Sequence, residues 1–262
     1  MKDFNKIVKT LSKKWWKVIF KRDIFELIDP EYKQEYQSFL DKIIYRLKAE
    51  GYIISLKSWV YIIPDESDMK LNSVDLLEKY YLKLLKKYIT ANVWSQYYIS
   101  GEKALWFHMK DYSLPKRIYI MNPSLQKKIM IGSYEIHFKS LQWKTYEKKQ
   151  KLYPLFSKYS KELDIMWLKL KVAWLELALI ESALVSDMYD GIDTQLLIRS
   201  IKKYWKVFDT DIFYEIGKWK YNMSFNRLKE ITKTIDKNLS WIFLDIIKKN
   251  WGCFVGEWLR NI

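Results

Sequence analysis

The run from Asp29 to Pro64 constrains this chain more than any other. Asp29-Pro30 is a helix start. An N-cap side chain precedes a ring whose fixed φ suits the first turn and whose missing N–H costs nothing there. Tyr32, Tyr36, Phe39, Leu40, Ile43, Ile44 and Leu47 then recur at helical spacing. Gly51 stops the helix, because glycine enters the left-handed region at a C-terminus without a Cβ clash. Two β-rich runs follow, 52–56 and 60–63, joined by Lys57-Ser58-Trp59 and closed by Pro64. That pattern is a hairpin with a glycine-seeking position at 59.

Upstream, Ile7, Val8 and Leu11 place a short helix over 5–11, Val18-Ile19-Phe20 reads as a strand, and 22–28 reads as a second short helix. Short helices, a longer helix and a hairpin within about 60 residues follow the order of a winged helix-turn-helix. With its apolar stripe buried, the third helix presents Ser38, Asp41, Lys42, Tyr45 and Arg46 on the opposite side. Lys42 and Arg46 can donate to guanine acceptors or phosphate, and Ser38 and Tyr45 are hydrogen-bonding groups. Lys57 at the hairpin tip is placed to touch the DNA backbone. The DNA-contacting candidates are therefore Ser38, Lys42, Tyr45, Arg46 and Lys57, with further phosphate contacts from Lys13, Lys14, Lys17 and Lys21. Asp41 sits awkwardly among them: it accepts from cytosine, or it pairs with Lys42 or Tyr45. Residues 1–64 carry thirteen Lys/Arg against eight Asp/Glu, only +5. A second reading therefore stands beside the first: a protein-interaction module that uses the same domain, and a basic C-terminal domain, as docking surfaces without DNA.

Asp65 to Asp68 is polar and reads as a linker, which divides the chain into 1–66 and 67–262. Beyond it, Val74, Leu77, Tyr81, Leu84 and Tyr88 give the buried stripe of a long helix from about 72 to 89. A helix is expected over 100–107, and strands over 117–121, 128–131 and 134–138 with Gly132-Ser133 as a turn. From about 170 the pattern is helical: 173–185, 193–204, 211–218, 224–235 and 239–249. The expected fold class is α+β, an N-terminal winged helix-turn-helix followed by a mixed α/β, mostly helical C-terminal domain.

The formal charge of the whole chain is +15 and its pI is near 9.5, which favours a polyanionic partner. Residues 116–151 are its densest basic stretch, with nine Lys/Arg against two Asp/Glu. No apolar run is long enough to span a membrane, and residues 1–30 lack a signal-peptide core. A lone cysteine, Cys253, fits a reducing, cytoplasmic setting. One cysteine and two histidines, His108 and His137, make a poor zinc set, so neither metal nor cofactor is expected. Nor is catalysis. Gly132-Ser133 lies far from Asp209-Thr210-Asp211, the pair of carboxylates that a nucleotidyltransferase would need for magnesium, and that pair reads as a helix cap.

Thirteen tryptophans accompany only seven glycines. Some stand where the chain geometry wants glycine: Trp59 at the hairpin turn, Trp15-Trp16 between a helix end and a strand, and Trp251 where a helix should stop. Two explanations are open. The protein is rich in tryptophan, or some of these codons are UGA triplets that the source genome reads as glycine.

The wing segment Gly51-Tyr-Ile-Ile-Ser-Leu-Lys-Ser-Trp-Val-Tyr-Ile-Ile-Pro64, the stretch Tyr97-Tyr-Ile-Ser-Gly-Glu-Lys-Ala-Leu105, the strand pair 116–138 and the helix around 169–184 together resemble AbiEi-like antitoxins. Trp59 departs from that family's wing glycine. The resemblance implies an antitoxin of a type IV toxin–antitoxin, or abortive phage infection, system. Its N-terminal domain would repress its own operon at repeated DNA sites. Its C-terminal domain would counter a nucleotidyltransferase-like toxin, without necessarily touching it.

Overall fold

The helix anticipated before Gly51 is α3 (Tyr36–Ala49). The computed structural model describes residues 2–13, 17–28, 36–113, 116–141, 152–184, 194–219 and 221–251, so Asp29, Pro30 and Tyr32 lie outside the described residues. Leu40, Ile43, Ile44 and Leu47 of α3 are buried, as their spacing requires. The helix stops as expected: Gly51 takes φ +75°, and the Leu47 carbonyl accepts from Tyr52 and Ile53 N–H at 2.9 and 3.3 Å.

Before α3 come α1 (Lys2–Ser12), β1 (Val18–Phe20) and α2 (Lys21–Phe25). After it come β2 (Ile54–Lys57) and β3 (Val60–Ile62). The three strands form one antiparallel sheet in the order β1-β3-β2, with Ile62 of β3 opposite both Val18 and Ile54. Phe4, Ile7 and Leu11 of α1, Ile24 of α2, the α3 stripe, Ile19 and Tyr61 make one continuous apolar core. The expected second helix over 22–28 is shorter, because α2 ends at Phe25. It is anchored at its start by Asp23, whose carboxylate accepts from Phe20 N–H at 2.7 Å.

The polar run after the hairpin is more than a linker. It folds into a 3-10 turn, Glu66–Lys70, around a fully buried Asp68. That carboxylate accepts from Tyr80 Oη at 2.6 Å, Lys79 Nζ at 2.5 Å and Asp65 N–H at 2.7 Å. Burial alone would raise its pKa; the donated hydrogen bonds outweigh burial and hold it below the usual carboxylate range. The long helix α4 (Ser73–Val93) buries Leu77, Tyr81 and Leu84, but Val74 is exposed. Leu76, Tyr80, Leu85 and Ile89 complete the buried face instead. Backbone packing places α4 with the elements before it: the compact units are Met1–Ala91 with Met130–Ser133, and Asn92–Ile129 with Tyr134–Ile262. The physical reason is a seam that the sequence reading did not foresee. Phe20 and Tyr88 meet at 5.0 Å between ring centroids, and Lys87 forms an ion pair with Asp23.

The second unit is built on a six-stranded mixed sheet ordered β6-β7-β5-β4-β9-β8. Its strands are β4 (Tyr98–Ser100), β5 (Arg117–Asn122), β6 (Lys127–Ile131), β7 (Tyr134–Ser140), β8 (Ser160–Ile165) and β9 (Leu168–Ala173). Strand β4 pairs antiparallel with β5 and parallel with β9, and β5 runs parallel to β7. The expected strands over 117–138 are present, whereas β4, β8 and β9 were not anticipated. The helices are α5 (Gly101–His108), α6 (Leu152–Ser157), α7 (Leu175–Ser182), α8 (Thr194–Tyr204), α9 (Thr210–Gly217), α10 (Asn222–Thr232) and α11 (Lys237–Trp251). Phe213, Phe225 and Phe243 lock α9, α10 and α11 together through ring contacts of 5.1 and 5.8 Å. Among the described residues no helix is long and apolar enough to cross a membrane.

Candidate nucleic-acid interface

Because α3 spends its apolar residues on the core, its other side is left to polar ones. Asp41, Lys42, Tyr45, Arg46 and Lys48 are all exposed, Tyr45 by 76%. A large aromatic ring that far from the core has no packing role, and its phenol is free to meet a partner. The side chain of Ser38 lies outside the described residues. Lys42 carries no ion pair among the described residues. Lys48 was not singled out from the sequence, although its spacing of three from Tyr45 puts it on the same strip.

The other predicted cations are partly engaged. Arg46 donates from Nε to Glu50 Oε1 at 2.6 Å, and its guanidinium lies 4.0 Å from the centroid of the Phe4 ring. Such stacking leaves the outer guanidinium nitrogens available while fixing the plane of the group. Asp41 pairs with Lys21 at 2.5 Å rather than with Lys42 or Tyr45. Lys17 is held by Asp65 at 2.5 Å. Lys57 is the last residue of β2, not the tip, and its ammonium donates to the Met130 carbonyl of the same compact unit. The tip itself is Ser58-Trp59, both exposed. Lys6 and Lys9 on α1 and Lys13 just past its end add exposed cations, of which the sequence singles out only Lys13, while Lys14 lies outside the described residues. A cavity of about 500 Å³ opens between β1–α2, the hairpin tip and Tyr88, walled by Phe20, Phe25, Leu40 and Trp59.

In the second unit the basic stretch is described up to residue 141, and part of its charge is neutralised locally. Glu135 receives Lys128 at 2.9 Å, His137 at 2.8 Å and Arg117 at 2.9 Å. The hydrogen bonds from Lys128 and then His137 outweigh burial and bring its pKa down to about 2. The Tyr-Ile-Ser-Gly stretch is buried, not displayed. Glu181, fully buried on α7, accepts from Tyr98 Oη at 2.9 Å, from Tyr221 Oη at 2.8 Å and from Ser100 Oγ. Lys103, two residues after that Tyr-Ile-Ser-Gly stretch, is buried, donates to the Ser113 carbonyl at 2.5 Å, and is pushed down to about 8 by burial. Asp209 caps α9 by accepting from Asp211 N–H at 3.0 Å, the structural role read from its position. His108 bonds the Ala173 carbonyl at 2.8 Å.

Fold and surface define an α+β chain whose first unit displays a cationic helix face beside a hairpin. No family model and no curated protein matches the chain. Among solved structures it is similar to the crystal structure of the RV2827C protein from Mycobacterium tuberculosis, with a TM-score of 0.57 at 10% identity, over 95% of this chain and 82% of that one. At that identity the likeness concerns fold alone.

Proposed function

We propose that the first unit is a winged helix-turn-helix and that the chain is a DNA-binding transcriptional regulator, an autorepressing antitoxin of a type IV toxin–antitoxin system. The observation that carries the DNA-binding part is the division of α3: Leu40, Ile43, Ile44 and Leu47 inward, Lys42, Tyr45, Arg46 and Lys48 outward. The order helix, strand, helix, helix, hairpin and the sheet order β1-β3-β2 support the winged-helix reading. In that arrangement α3 is the helix that enters the major groove and the hairpin is the wing. The antitoxin part rests on the likeness of the wing and Tyr-Ile-Ser-Gly segments to AbiEi-like sequences. Its partners are repeated operator DNA and, functionally, a nucleotidyltransferase-like toxin.

The engagement of Arg46 by Glu50 and of Lys21 by Asp41 favours a second reading, a docking module without DNA. A mobility-shift titration of the full chain on its own upstream DNA, at two salt concentrations, separates the two. The regulator gives a shift that weakens steeply with salt, because phosphate-bound counterions are released on binding. Absence of a shift at low salt would leave the docking module. An adjacent gene encoding a nucleotidyltransferase-like protein is the further expectation of the antitoxin reading.

A further inference from the structure

We infer that positions 59, 94 and 167 are glycine positions, at which UGA codons are read as glycine in the source of this protein. Six non-glycine residues adopt left-handed φ among the described residues, and three of them are Trp59 (+66°), Trp94 (+53°) and Trp167 (+66°). Residues other than glycine that tolerate this region are chiefly Asn, Asp and His, whose short polar side chains bond locally. None of the six is one of those: the others are Lys110, Met166 and Tyr221. A bulky indole has no such compensation.

Each site is also one where glycine has a defined place. Lys57 pairs with Val60, so Trp59 is the second residue of a two-residue loop. Ile165 pairs with Leu168, so Trp167 is the second residue of the β8–β9 loop, where Met166 at φ +48° also makes the turn left-handed throughout. A turn left-handed at both residues favours glycine second, and one left-handed at its second residue alone, as at 59, asks for glycine there too. Trp94 directly follows Val93, the last residue of α4, at the point where a helix hands over to a left-handed residue.

Burial supplies an independent argument. The three indoles are 67%, 75% and 94% exposed in chain order. No tryptophan belongs to the buried core among the described residues, while Phe4, Phe107, Phe138, Phe156, Phe213, Phe225 and Phe243 all do. Tryptophan is highly buried on average though rarely in full, and Trp174, whose ring meets Tyr159 at 5.9 Å, follows that habit, whereas the indoles at 59, 94 and 167 stand in solvent. This chain folds around phenylalanine and aliphatic residues. UGA and the tryptophan codon UGG differ in one base, and reading UGA as glycine gives each site the residue its backbone selects.

The consequence at the hairpin tip rests on the DNA-binding reading above. Glycine at 59 removes the indole that walls the 500 Å³ cavity and leaves a tip of Ser58 and bare peptide. Such a tip allows its N–H groups to approach a phosphate closely.

Two measurements decide the inference, and neither involves DNA binding. The first is peptide mass spectrometry of the protein from its source cells, together with the coding DNA. Glycine at all three positions with UGA codons is expected; tryptophan in the peptides, or UGG at any of the three, overturns it. The second compares thermal unfolding of the tryptophan chain with that of the Trp59→Gly, Trp94→Gly, Trp167→Gly triple variant. A raised midpoint is expected; an unchanged or lowered one overturns the claim that these backbones are built for glycine. A failed mobility shift would sink the regulator reading and leave this inference standing.

Discussion

Glu181 shows how the decisive polar contacts of this molecule work at single residues. A buried carboxylate is tolerated only where donors surround it. Here they come from Tyr98, Ser100 and Tyr221, on segments far apart in the chain. Removing one hydroxyl by Tyr221→Phe leaves an acceptor short of a partner, at a cost of about 1–3 kcal/mol, to be read as a lower denaturant midpoint. Lys103 gives a pH signature of the opposite kind. Its pKa falls from 10.5 to about 8 on folding, so below about pH 8 both states hold the proton and the burial penalty is full. Between about 8 and 10.5 the unfolded chain keeps the proton and the folded one has lost it, so this contribution to stability improves as pH rises. Lys103→Met should therefore be the more stable protein at neutral pH, by on the order of 1–2 kcal/mol, with the margin shrinking towards pH 10.5 in paired denaturation series. Neither residue announces itself in the sequence, because a buried partner many positions away has no local pattern. What was legible at this scale was local: Gly51 as a stop and Asp209 as a cap depend only on adjacent backbone.

At the scale of elements, periodicity did the work where one face is buried and the other is wet. The α3 stripe, the hairpin after it and the strands over 117–138 follow from that rule. It failed where the burial pattern departs from it. Tyr98–Ser100 is buried throughout, so no alternation marks β4. Strand β8 is mostly polar, and Met166-Trp167 hides its turn from a reading that looks for glycine. Val74 matches the helical period yet is exposed, since only the course of α4 past β1 and α2 decides which face is covered. The face of α3 makes the sharper prediction. Lys42→Ala with Arg46→Gln removes two outward cations and should weaken specific DNA binding by about 1–3 kcal/mol per lost contact, with far-ultraviolet circular dichroism unchanged. Asp41→Asn works in reverse. It removes a carboxylate from the face and releases Lys21 from its 2.5 Å ion pair. Tighter binding is expected, together with a salt slope steeper by about one. A docking surface for a neutral protein would register neither change.

For the whole molecule, the charge of +15 has to be located before it can be interpreted. The sequence placed its densest part in 116–151, while the structure shows Arg117 and Lys128 turned onto Glu135. Glu135 is one of the two carboxylates already counted in that stretch, so these contacts fix where the cations point and leave its excess of +7 unchanged. Lys6 and Lys9 of α1, Lys13 just after it, and Lys42 and Lys48 of α3 carry no ion pair among the described residues of the first unit, and the same holds for Lys110, Lys116, Lys139, Lys161, Lys171 and Lys202 in the second. By net charge the first unit holds eighteen Lys/Arg against thirteen Asp/Glu, +5, and the second the remaining +10, so the proposed interface rests on the placement of the α3 cations and not on an excess of charge there. If the phosphate contacts are made by α3, reversing the exposed Lys116 to Glu in the full chain should leave DNA affinity within about twofold, since it then removes no direct contact. The same reversal at Lys42 should cost well over tenfold. Fluorescence anisotropy on one labelled operator fragment, run for both variants at matched salt, measures the contrast. A larger loss at Lys116 than at Lys42 would place the interface in the second unit and refute the proposed recognition role of α3.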